Sequence, residues 1–148
     1  MGDLKLTSSA FEDGGEIPRE CGYKNGNEEP PLTVSGIPEG TKSLSLIMDD
    51  PDAMEPAGKV WVHWVVWDIL NADGPLLTSS GIKGTTDFGE VGYGGPAPPD
   101  KRHTYFFKLY ALDDELGLSN DDVTKADVEK AMEGHIIEQT TLTGTYAP

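Results

Sequence analysis

Val60-Trp61-Val62-His63-Trp64-Val65-Val66-Trp67-Asp68-Ile69-Leu70 is almost unbroken Val, Ile and Trp, the residues that fit a pleated, packed surface. A run apolar on both faces belongs to a central strand covered on both sides. Two further runs share the character. Leu44, Leu46 and Met48 alternate with Ser43, Ser45 and Ile47, and Thr104 to Leu112 carries Tyr105, Phe106, Phe107, Leu109 and Tyr110. Between them the 18 glycines and 11 prolines act as punctuation, as at Gly36-Ile37-Pro38, Gly74-Pro75 and Gly92 to Pro99. The pattern predicts an all-β domain of two packed sheets.

One helix is expected, from Lys125 to Glu133. Thr124 caps it with Asp127 three residues on, Val128, Ala131 and Met132 form its apolar face, and Gly134 stands at C′. Ile136 to Tyr146 reads as a last strand. No repeat, linker or break in composition divides the chain, so residues 1–148 are expected to form a single domain, large enough to hold itself by its core.

Charge excludes several functions. With 26 acidic and 11 basic residues the net charge is −15, which repels phosphate backbones and anionic lipid headgroups, so nucleic acid is not an expected partner. The acids are spread, as in Asp113-Asp114-Glu115 and Asp121-Asp122, which reads as a solvated surface. Cys21 is the only cysteine, so neither an internal disulfide nor a thiolate zinc site is available. The Met1 to Leu6 segment has no apolar core for a signal peptide, and no stretch approaches a membrane span. The expectation is a cytoplasmic protein that is not integral to a membrane.

Two segments carry the chemistry. Asp49-Asp50-Pro51-Asp52 precedes the Trp61 to Trp64 strand, and Gly92-Tyr93-Gly94-Gly95-Pro96-Ala97-Pro98-Pro99 precedes His103-Thr104-Tyr105. On an extended chain residues two apart share a face, which puts Asp50 with Asp52, His63 with Trp61, Val65 and Trp67, and His103 with Tyr105 and Phe107. Gly92, Gly94 and Gly95 can turn successive N–H groups onto an anion as a nest, stiffened by the prolines that follow. A Gly95→Val change is then expected to block binding while leaving the fold intact. His135, just past the helix, is read as a partner of the helix dipole.

At these residues the chain resembles the phosphatidylethanolamine-binding proteins, also called Raf kinase inhibitor-like proteins, in their short bacterial and archaeal branch. The likeness extends through Leu6-Thr7-Ser8, Gly15-Glu16-Ile17-Pro18, Pro30-Pro31-Leu32, Gly36 to Ser43 and Lys130 to His135. It implies a Greek-key β-sandwich of two antiparallel sheets with an anion pocket at one end, built from Asp50, Asp52, His63, Gly95, His103 and Tyr105. Met54 stands where the family usually has Pro, and Thr104 where it usually has Arg.

The reading of first choice is non-enzymatic binding of a small phosphate- or carboxylate-bearing ligand, phosphoethanolamine-like in type, without a cofactor. Gly95 N–H and an imidazole would donate to the anion, and the two aspartates would orient the imidazoles. The family name points to a second reading, an inhibitor of a kinase or protease partner, and leaves a homodimer open. The third is a hydrolase in which two Asp and two His hold a metal or act as acid and base.

Overall fold

The computed structural model describes residues 2–119 and 122–148. Met1, at the head of the segment read for a signal peptide, and Asp121, one of the acids read as surface, lie outside the described residues. In chain order the elements are β1 (Lys5–Thr7), β2 (Gly15–Glu16), β3 (Thr33–Ser35), β4 (Ser43–Asp50), α1 (Met54–Ala57), β5 (Trp61–Ile69), β6 (Gly74–Pro75), β7 (Ile82–Lys83), β8 (His103–Leu112), α2 (Lys125–Met132) and β9 (Ile136–Tyr146). A small sheet has the order β1-β3-β6, and a six-stranded sheet has the order β2-β9-β8-β4-β5-β7. All pairs are antiparallel except one. β2 runs parallel to β9, with Gly15 opposite Gly144 and Glu16 opposite Thr145.

The layers explain the unbroken apolar runs. Leu6 and Val34 of the small sheet pack on Leu44, Leu46, Met48, Val66, Phe107 and Leu109 of the large one. On the other side Ile47, Val65, Trp67 and Tyr110 lie under Val128 and Met132 of α2. Every residue of β4 is buried, because this strand lies between two layers. The helix therefore covers the back of the sandwich. Its start is the expected capping box, in which the Thr124 N–H donates to the Asp127 carboxylate at 3.0 Å, and its end is Gly134 at φ +81°. Asp49 fastens it from below. This buried carboxylate accepts from Lys108 Nζ of β8 at 3.0 Å and from Lys125 Nζ of α2 at 2.9 Å.

Two irregularities in β5 set its side-chain directions. Met48 pairs with Trp64 but Asp49 pairs with Val62, so His63 is the extra residue of a bulge. A second break lies between the Leu44 and Leu46 pairings, around Asp68, which adopts φ +55°. The Asp68 carboxylate then accepts the N–H groups of Leu116 and Gly117.

Candidate functional site

A cavity of about 170 Å³ opens where the loops after β4 and before β8 leave the large sheet. Asp50, His63, His103 and Tyr105 line its polar part. Trp61 and Phe88 form an aromatic wall, and Ala53, Pro56, Ala57 and Ala97 to Pro99 form an apolar mouth. An ion pair between Glu55 of α1 and Lys101, 3.0 Å long and exposed, ties the two sides of this end together.

His63 reaches the cavity through the bulge. Strict alternation would group it with Val65 and Trp67, but those two side chains belong to the layer under α2. The extra residue breaks the period, so His63 and Trp64 both turn toward the sandwich side, where His63 meets Tyr105 edge-on at 5.1 Å and Phe88 at 5.4 Å. Its Nδ1 lies 2.7 Å from the Gly94 carbonyl. A carbonyl only accepts, so Nδ1 carries the proton and Nε2 keeps a lone pair in the neutral ring. Burial pushes the pKa of His63 down to about 4, against the pull of the nearby backbone carbonyls. The ring is neutral at physiological pH. It is held by a peptide carbonyl, and neither aspartate orients it.

His103 is the opposite case. Its Nδ1 lies 2.6 Å from Asp50 Oδ2 and its Nε2 lies 2.7 Å from Asp100 Oδ1. A neutral imidazole has one N–H and can satisfy only one carboxylate, so this geometry suits the imidazolium. Burial works against the cation, but the carboxylates of Asp50 and Asp100 outweigh it and raise the pKa above the ordinary histidine value. Burial likewise lifts the Asp50 carboxyl, opposed by its bonds from His103 and the Asp52 N–H. Neither ring nitrogen has a lone pair free for a metal. Among the described residues no group of three or more His, Cys, Asp or Glu side chains is placed to hold a metal ion.

Two donors of the cavity wall are unpartnered. The Tyr105 hydroxyl and the Trp61 indole N–H are buried, and neither makes a hydrogen bond of good geometry within the protein, although the Asp50 carboxylate and the Ala97 backbone stand near the Tyr105 oxygen. Burial, with Asp50 nearby, pushes the Tyr105 phenol far above its usual range, so it remains an O–H donor. Native structures rarely leave such groups unsatisfied, and those that remain mark places for water or a ligand.

Two of the six expected residues serve elsewhere. Asp52 is exposed, and its carboxylate accepts the Thr104 N–H at 2.9 Å, because Pro51 starts a tight turn that ends the extended geometry on which the shared face depended. The glycine nest does not form either. Gly94 N–H donates to the His63 carbonyl at 2.8 Å, and Gly95 N–H donates to Asn27 Oδ1 at 2.7 Å. The Gly95→Val expectation also needs correction, since a Cβ there would stand 2.0 Å from the Cys21 carbonyl oxygen and strike the backbone of the fold. His135 bonds Asp113 at 2.8 Å, so its side chain has a carboxylate partner.

Phe88 and Asp100 were not visible as site residues, nor was Asn27 as the acceptor of the Gly95 N–H. Phe88 and Asp100 sit in short loops without periodicity, and Asn27 comes from a turn far away in sequence. The one local signal was Asp100 itself, three residues before His103 and directly after Pro99.

A β-sandwich backed by one helix, with an imidazole and carboxylate pocket at its end, is the class that fold and site define. The family model for phosphatidylethanolamine-binding protein matches residues 7–147. The chain belongs to that family. It is 41% identical over 152 residues to a UPF0098 protein of Methanothermobacter thermautotrophicus, covering 97% of this chain and 98% of the relative. A UPF0098 protein of Aquifex aeolicus is 44% identical over 154 residues, covering 97% and 88%. Among solved structures, a phosphatidylethanolamine-binding protein homolog from Chlamydia trachomatis superposes with a TM-score of 0.89 at 36% identity, covering 99% of this chain and 98% of that one. YbcL of E. coli, described as a member of the mammalian PEBP family, gives 0.87 at 31% identity, with 98% of each chain covered.

Proposed function

We propose that this chain is a non-enzymatic binding protein for a small anion, a phosphate or carboxylate, held by Tyr105, Trp61 and His103 in the cavity at the end of the sandwich. The observation that carries the reading is a pair of buried donors on residues that line the cavity, Tyr105 O–H and Trp61 N–H, neither with a well-formed hydrogen bond in the protein. An anion's oxygens supply what these donors lack, and the His103 cation offsets the charge. His63 faces the same space with a lone pair, which suits a protonated oxygen such as the P–OH of a phosphate monoester monoanion. The apolar mouth suits the carbon chain beyond the phosphate. Asp50 acts as a positioning residue through His103. The acidic surface opposes every anion until these groups engage, so affinity is expected on the order of 10 μM to mM.

Titration calorimetry of wild type and Tyr105→Phe with phosphoethanolamine and with acetate tests this. Wild type should bind saturably, and Tyr105→Phe should keep its melting temperature while binding roughly five- to tenfold more weakly, the loss of one hydrogen bond to a charged group. If wild type binds neither anion between pH 6 and 8, the reading is wrong and an inhibitory role on a kinase or protease takes its place.

A further inference from the structure

The two carboxylates on His103 are not equivalent. Asp50 is buried and bonded through both oxygens, to His103 Nδ1 at 2.6 Å and to the Asp52 N–H at 2.9 Å. Asp100 has a single side-chain contact of this kind, to His103 Nε2, and its side chain is 36% exposed. It follows Pro98 and Pro99, which wall the cavity that His103 also lines. A carboxylate oxygen therefore already stands 2.7 Å from the second N–H of the cation. An incoming anion needs that same N–H.

We propose that Asp100 is a built-in competitor, its carboxylate occupying the second N–H of His103 until a bound anion displaces it into solvent. The inference rests on the anion-binding reading above. Its physical basis is tethering, since a carboxylate fixed three residues from the imidazole competes at an effective concentration in the millimolar range or above. Every anion is thereby bound less tightly. A phosphate that also engages Tyr105 and Trp61 has additional bonds with which to displace it. The other groups around His103 do not take this part. The Asp52 carboxylate is held by the Thr104 N–H, the Tyr105 ring lies tilted at 6.3 Å, and the residue opposite on β9 is the uncharged Tyr146.

The test compares wild type with Asp100→Asn at pH 6, titrating phosphoethanolamine and acetate. Asparagine keeps the shape and an acceptor oxygen but releases the charge, so both anions should gain affinity by about tenfold, the order expected for a hydrogen bond between charged groups. The two gains should be equal, because the same displacement precedes either ligand. Methyl phosphate, which lacks the ammonium and at pH 6 carries more negative charge than acetate, separates the alternative, and a clearly larger gain for it than for acetate would overturn the proposal in favour of general charge removal. Unchanged or weaker binding in Asp100→Asn, with wild type still binding and His103 still protonated at pH 6 by proton NMR, overturns the competitor and leaves the anion pocket standing. Absence of binding in both proteins overturns the two together. A measurement on wild type alone covers the case of a variant that does not fold. Against desolvation, the bond from His103 and, after it, the N–H groups of Lys101 and Asp100 hold the Asp100 carboxyl below the usual range. Its carbon-13 titration should move up toward the ordinary carboxylate range with saturating phosphoethanolamine, and an unmoved titration refutes displacement.

Discussion

The Nδ1 of His63 and the carbonyl oxygen of Gly94 stand 2.7 Å apart, and this bond makes His63 a buried neutral acceptor. With the folded pKa near 4 and an unfolded value of about 6.5, the unfolded chain takes up a proton that the native state refuses. Stability from this residue is therefore intact above about pH 6.5 and is lost as pH falls toward 4, in total about 3 kcal/mol. Urea unfolding at pH 7 and at pH 4.5 should reveal that slope. His63→Gln, which can still donate to Gly94 but does not titrate, should flatten it. An identical slope in the variant would assign the acid sensitivity to other groups.

Substitution of Gly95 is expected to act on the fold before it acts on any ligand. A Cβ at this position meets the Cys21 oxygen at 2.0 Å and the Tyr23 nitrogen at 2.9 Å, both backbone atoms. Gly95→Ala should lower stability by roughly 1–3 kcal/mol or more, as overpacking does, and drop the melting temperature by several degrees. A variant that melts like wild type would mean that the Cys21 turn yields freely.

The buried Asp49 makes an asymmetric prediction. Replacing Lys108 and Lys125 together by Met strands a carboxylate that is 1% exposed, which should cost about 3–5 kcal/mol. Asp49→Asn leaves two lysines already partly exposed and able to swing into water, so its cost should be clearly smaller. Chemical denaturation ranks the two. The reverse order would show that the lysines, rather than the carboxylate, carry the desolvation burden.

Asp50→Asn should remove the larger of the two carboxylate contributions that hold His103 cationic. The raised pKa of His103 contributes stability that is full below about pH 6.5 and fades as pH climbs through the folded value. In the variant the fade should still begin near pH 6.5 but end at a lower pH, with the imidazole titration followed by proton NMR moving down to match. An unchanged titration would place the support for the cation on Asp100 alone.

The strands, the capped helix and the histidine and tyrosine pocket residues were legible because each depends on local pattern. Val60 to Leu70, Thr104 to Leu112 and Ile136 to Tyr146 announce themselves by composition, and Thr124, Asp127 and Gly134 mark the helix by their spacing. The faces of β5 were not legible, since a bulge shifts the period by one residue without leaving a mark in the sequence. The fate of backbone donors was hidden for a different reason. Whether Gly95 N–H faces a ligand or Asn27 is decided across 68 residues of chain, and no spacing rule reaches that far. The pairing of Asp100 with His103 is short-range, yet it was masked by a loop in which Pro and Gly read only as turn formers.

The pocket is closed by contacts between segments far apart in the chain. Asp50 meets His103 across 53 residues and His63 meets Gly94 across 31, and the loops that carry them converge only when β8 has docked beside β4. The lining residues all lie between Asp50 and Tyr105, but they meet only on the assembled sheet. An occupant would therefore behave as a removable cross-link, present in the native state and absent from every partly assembled one. Its signature would be kinetic, leaving the refolding rate unchanged while the native protein opens more slowly in proportion to how much of the site is filled.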